Sequence, residues 1–122
     1  LLRHGVEINL QNSEGSTALM MAAANGHEQV AEMLLRHGAG INLQNSLAGT
    51  ALTFAALCNH PAVVLRLLRA GADMKLRNVV GATALQIAKE KGHAECVEAF
   101  RTYLGEVTAA RSKAPSAEAG GA

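Results

Sequence analysis

Apolar and polar positions along this chain return with a fixed period of 33 residues. Thr17 to Gly38 reads TALMMAAANGHEQVAEMLLRHG, Thr50 to Gly71 reads TALTFAALCNHPAVVLRLLRAG, and Thr83 to Leu104 reads TALQIAKEKGHAECVEAFRTYL. A repeat of this length makes the repeat, and not one closed core, the unit of structure. In the first copy Thr17 offers a capping hydroxyl, and Ala18 to Ala24 form a helix with small side chains that permit close approach. Asn25-Gly26 ends it, since glycine accepts the left-handed conformation of a helix end. A second helix starts near His27, with Val30, Ala31, Leu34 and Leu35 on one face. Gly38 closes it. The segment Ile41 to Asn45 then leads through a turn to the next Thr and is too short for a further helix.

The connecting segment repeats as well: Leu1 to Ser13 and Leu34 to Ser46 differ only at Val6/Ala39 and Glu7/Gly40. With the helical motif, these residues make the chain resemble the ankyrin repeat, whose pattern is G-x-T-P-L-H-x-A-A-x-x-G-H followed by L-L-x-x-G-A-D. The resemblance covers about residues 1 to 107. It implies an all-α repeat solenoid of stacked helix-turn-helix units joined by hairpin-like fingers, piled in a short right-handed array. The repeats expected are 9–41, 42–74 and 75–107, after the end of a truncated upstream repeat at 1–8 and before a disordered tail at 108–122. Because the chain begins with Leu and not Met, and Leu1 and Leu2 align with Leu34 and Leu35, it is expected to be part of a longer protein. The apolar face of the first helix pair is then a cut edge and not a binding surface.

Several positions depart from the pattern. Ala18, Ala51 and Ala84 stand where the family prefers Pro, and Met20, Thr53 and Gln86 stand where it prefers His, which is expected to remove some bonds between fingers. Asn59 replaces a Gly and can also take positive φ. Pro61 opens its helix, where the missing N–H costs nothing. Gly49 comes one residue later than Gly15 and Gly81, so an altered turn is expected in that finger. Lys89 replaces Ala23 and Ala56, and Arg101 replaces Leu35 and Leu68, as in a polar terminal cap.

Composition narrows the function. The chain has 122 residues, 49% of them hydrophobic, with no Trp, one Tyr and two Phe. That suits an aliphatic, alanine-rich helical core and poorly suits a base-stacking surface. The net charge is +1, from 11 basic and 10 acidic residues that are interspersed. Nucleic-acid binding calls for a basic stripe, so no nucleic-acid partner is expected. No apolar run approaches the ~18 residues of a membrane span, so no membrane insertion is expected. Cys96 aligns with Val30 and Val63 and reads as a small core group, whereas Cys58 aligns with Asn25 and Lys91 and reads as exposed. Neither suggests a secreted disulfide framework, and an intracellular location, cytoplasm or nucleus, is expected.

Candidate chemistry adds little. His27, His60 and His93 share one repeat position, and His4 and His37 another. Equivalent residues of stacked helices lie roughly 8–10 Å apart, too far to share an ion whose nitrogen ligands sit ~2 Å away. No catalytic triad, HExxH, phosphate loop or dinucleotide fingerprint is present. The expectation is a monomeric, non-catalytic module without metal or cofactor.

The resemblance places a protein partner against the finger tips and the exposed side of the first helices. The matching tips are Gln11, Ser13, Glu14 and Ser16, then Gln44, Ser46, Leu47 and Gly49, then Arg77, Val79, Val80 and Ala82. The matching helix positions are Met20, Ala24 and Asn25, then Thr53, Leu57 and Cys58, then Gln86, Glu90 and Lys91. Leu47, Leu57, Val79 and Val80 are apolar where water is usual, and such a strip marks an interaction site, with Arg77 as its anchor. Gln44, Ser46 and Glu90 complete the candidate site. The competing account is that Leu47 and Val79 only pack on each other along the fingers. Two other classes stay open: a regulatory segment of a larger enzyme or channel, and an engineered repeat binder.

Overall fold

A computed structural model describes residues 8–112, which form six helices in three pairs. The first helices of the pairs are α1 (Ala18–Ala24), α3 (Ala51–Leu57) and α5 (Ala84–Lys91). The second helices are α2 (Glu28–Arg36), α4 (Pro61–Arg69) and α6 (Ala94–Ser112). Each first helix begins at an extended threonine whose hydroxyl accepts an amide proton three residues on: Thr17 from Met20, Thr50 from Thr53, Thr83 from Gln86. This satisfies one of the amides a helix start leaves without an internal partner. Thr53 and Gln86 bond back to the amides of Thr50 and Thr83 and complete two capping boxes. Thr53 and Gln86, two of the three residues found in place of the family's His, therefore cap their own helix.

Between the paired helices the chain turns at Gly26, Asn59 and Gly92, with φ of 72°, 64° and 72°. Asn59 takes the left-handed conformation expected of it. The second helices α2 and α4 end in the same way. Gly38 and Gly71 adopt positive φ, Ala39 and Ala72 donate to the carbonyls of Leu34 and Leu67, and the two glycines donate to Leu35 and Leu68. In the third repeat that glycine position is held by Leu104. With Leu104 unsuited to left-handed φ there, the helix continues through Gly105, and α6 runs 19 residues. The first five residues of the expected disordered tail, 108–112, are thus helical; residues 113–122 lie outside the described residues. So do residues 1–7 of the truncated upstream repeat.

The first helices stack on one another and the second helices form a row behind them, with α4 and α6 meeting far more closely than α2 and α4. The core is continuous through all three pairs. Alanines 22, 23, 55, 56 and 88 let the first helices approach, while Leu52, Leu67, Leu68, Val63, Val64 and Phe100 fill the space between layers. Each fully buried large aliphatic or aromatic side chain stabilises by about 1.5–3 kcal/mol. At the two ends the pattern changes. Lys89 and Arg101 are exposed where Ala23, Ala56 and Leu68 are buried. At the other end Val30 is 42% exposed, while its equivalents Val63 and Cys96 are 1% and 0% exposed. No helix among the described residues is long and apolar enough to cross a membrane.

Candidate functional site

The fingers are turns held by side chains, and no strand occurs among the described residues. Asn12, Asn45 and Asn78 open the three turns at one repeat position. The Oδ1 of Asn12 accepts from the amides of Glu14 and Ser16, that of Asn45 from Leu47 and Gly49, and that of Asn78 from Val80 and Ala82, all at 2.9–3.0 Å. The asparagine backbone adds a second pair, for example Asn78 N–H to Ala82 O and Gly81 N–H to Asn78 O, both 2.9 Å. A short amide side chain that mimics a backbone turn is the reason Asn serves here. These asparagines were not among the candidate residues, although their 33-residue spacing was in the sequence.

The fourth turn position has φ of 79° in Gly15 and 83° in Gly81. In the middle finger Ala48 takes it, with φ of 61°. The altered turn expected from the displaced Gly49 therefore does not form. The backbone keeps the common turn and Ala48 bears the strain.

Gln11, Gln44 and Arg77 play one part in each finger. Gln11 Nε2 donates to Gly15 O at 2.7 Å, Gln44 Nε2 to Ala48 O at 3.0 Å and Arg77 Nη1 to Gly81 O at 2.7 Å. Gln11 and Gln44 also reach the carbonyls of Gln44 and Arg77 in the following finger, at 3.4 Å. Arg77 and Gln44 are exposed, but their polar atoms brace the fingers. Backbone bonds join neighbours directly: Ser46 N–H to Glu14 O and Val79 N–H to Leu47 O, each 3.0 Å.

On this scaffold the apolar tips stand in water. Leu47 is 62% exposed, Val79 63% and Val80 80%, and the Leu47–Val79 backbone bond places them on adjoining fingers. At this exposure any packing of Leu47 on Val79 covers only part of either side chain. Leu57 is at the margin of exposure, at 36%, and Ser46 and Glu90 are exposed. Two of the helix positions assigned to a partner face are instead buried: Met20, and Thr53 with its capping hydroxyl.

On the opposite side of the stack, ion pairs join the second helices. Arg66 Nε donates to Glu28 at 2.6 Å and its Nη1 to Glu32 at 2.5 Å, joining α4 to α2 across a recess of about 560 Å³ floored by Leu35, Ala62 and Leu65. These bonds, that to Glu28 foremost, hold the guanidinium pKa of Arg66 above its ordinary value. Arg69 Nε donates to Glu106 at 3.0 Å, with a second bond from its Nη2. The pairing holds the Glu106 carboxyl below the usual carboxylate range.

His60 and His93 bond backwards in the stack. A ring nitrogen of His60 donates to Ala24 O and one of His93 to Ala56 O, both at 3.0 Å. Each therefore satisfies a carbonyl at the end of the first helix in the preceding repeat. Among the described residues no group of three His, Cys, Asp or Glu side chains could hold a metal ion. Cys58 is exposed and Cys96 buried, both as free thiols, and burial pushes the Cys96 thiol pKa up.

A family model described as ankyrin repeats (3 copies) matches residues 1–78. A search of curated proteins returns no match. The third helix pair lies beyond the family match, yet it repeats the threonine cap, the left-handed connection and the histidine bond of the second.

Proposed function

Since this chain belongs to the ankyrin-repeat family, whose members are in general protein–protein interaction modules, we propose that it acts as a non-catalytic scaffold or adaptor. Its finger side receives a protein partner, and its work is rigid presentation with no cofactor or metal. The observation that carries this reading is the exposed apolar strip of Leu47, Val79 and Val80 on two bonded fingers. Soluble surfaces carry single exposed aliphatics as a matter of course; three on adjoining turns held by Asn45 and Asn78 form a preorganised contact that loses little entropy on binding. Ser46 and Glu90 rim the strip, and Arg77 and Gln44 set its spacing from within. An intracellular location and a monomeric array belong to the same proposal, supported by the free thiols and the polar cap.

The test replaces Leu47, Val79 and Val80 together by Ser. The fold, followed by far-UV circular dichroism and thermal melting, stays close to that of the parent because these side chains are outside the core. Binding of partners recovered with the parent protein weakens about tenfold or more, as removal of interface anchors does. Undiminished partner binding by the folded variant eliminates the strip.

A further inference from the structure

The finger row has a direction, and the last finger among the described residues is unfinished. Ser46 N–H donates to Glu14 O and Val79 N–H to Leu47 O with the same geometry, and Glu14, Leu47 and Val80 hold one position in successive fingers. The next acceptor of the series is the Val80 carbonyl, and no described residue donates to it. The space beside it is also open. A Cβ added at Gly15 would meet the second finger at once, with Ser46 N at 3.0 Å and Asn45 Cα at 3.2 Å, whereas one added at Gly81 would meet nothing within 4 Å. A recess of about 400 Å³ lies there, lined by Val80, Gly81, Ala82, Gln86, Lys89 and Glu90.

We infer that this edge is a docking site for a tight turn of a partner protein, which continues the finger row by donating a backbone N–H to the Val80 carbonyl and laying an apolar side chain beside Val80. The inference rests on the interaction-module reading and names the mode of binding at one end of it. The occupant is of the kind that already fills the equivalent place twice within this chain. The chain itself supplies no fourth finger among the described residues, because α6 runs on as helix to Ser112. A symmetric pair of copies fits poorly. The amides of Val80 and Ala82 are engaged by the Asn78 side chain and that of Gly81 by the Asn78 carbonyl. Two such edges brought face to face would offer carbonyl to carbonyl, with no donor between them.

The probe is a head-to-tail cyclised peptide containing the sequence of residues 77–82, RNVVGA, compared with the same peptide N-methylated at the amide corresponding to Val79. Each is titrated into the isotope-labelled full chain and followed by NMR. The expected result is saturable binding with shifts at the Val80 carbonyl, the Gly81 amide and Lys89, about tenfold weaker for the methylated probe, and abolished by Val80→Asp. Equal affinity of the two peptides, shifts centred elsewhere, or no binding overturns the inference. Concentration-dependent self-association that Val80→Asp removes, seen by analytical ultracentrifugation, also overturns it by assigning the edge to a second copy. Failure of the probe alongside partner loss in the Leu47/Val79/Val80 variant removes the edge alone. Probe binding alongside intact partner capture by that variant removes the strip and leaves the edge.

Discussion

Ala48 shows how a single side chain can hold a turn that its chemistry resists. Left-handed φ costs a residue with a Cβ roughly 1–2 kcal/mol, and Ala48 adopts it while its counterparts in the other fingers are glycines. Glycine at this position would relieve the strain but loses about 0.5–1 kcal/mol through its larger freedom in the unfolded chain. Ala48→Gly should therefore raise stability by about 0.5–1 kcal/mol in urea unfolding, with an unchanged m-value. A destabilised variant would mean that the middle finger holds its turn without strain. The displaced Gly49 was visible in the sequence, but its consequence was not. Whether a turn shifts or a residue strains depends on the neighbours, and here Asn45 accepts from both Leu47 and Gly49 and holds the common geometry.

Among the elements, α6 departs most from its counterparts. Its length follows from one replacement, Leu104 for the helix-ending glycine, and its outer turns are tied to α4 by Arg69 and Glu106. Tyr103 packs against the core, and Val107 one turn further on is partly buried. The folded Glu106 carboxyl titrates below its unfolded value of about 4.3. Its contribution is thus complete above that pH and is lost as pH falls through the lowered folded value. Hydrogen exchange of the α6 amides after Leu104 should accelerate on acidification below about pH 4.3, relative to α4. In Glu106→Gln the same amides should exchange faster at neutral pH, with that acid step gone. Acid behaviour identical in parent and variant would show that the pair does not hold the helix end. The sequence led to a disordered tail from residue 108, whereas a helix without a stop signal continues until solvation outweighs packing.

For the whole molecule, stability is the sum of repeats and the interfaces between them. Phe100 is fully buried between the last two repeats' second helices and the core. Phe100→Ala should cost about 3–5 kcal/mol, a large part of the ~5–15 kcal/mol of a typical domain. In a stacked array the loss should be local: exchange protection falls in α5 and α6 while α1 and α3 keep most of theirs. A uniform loss across all six helices would mark the array as a single cooperative unit. The same modularity makes the finger strip a regional property, since Leu47 and Val79 belong to different repeats joined by one backbone bond.

What the sequence by itself determined is whatever recurs: the period, the threonine caps, the left-handed helix ends, the alanine and leucine layers, and the apolar tips at Leu47, Val79 and Val80. These depend on local backbone chemistry and on which face of a helix is apolar, and both are written in neighbouring residues. Only the tertiary structure decided where polar side chains spend their hydrogen bonds. Arg77 and Gln44 brace their own turns, Thr53 caps its own helix, and His60 and His93 reach back to the preceding repeat. The reason is physical. A polar side chain has several partners within reach at similar energies, and the choice among them is made by the distances that stacking imposes.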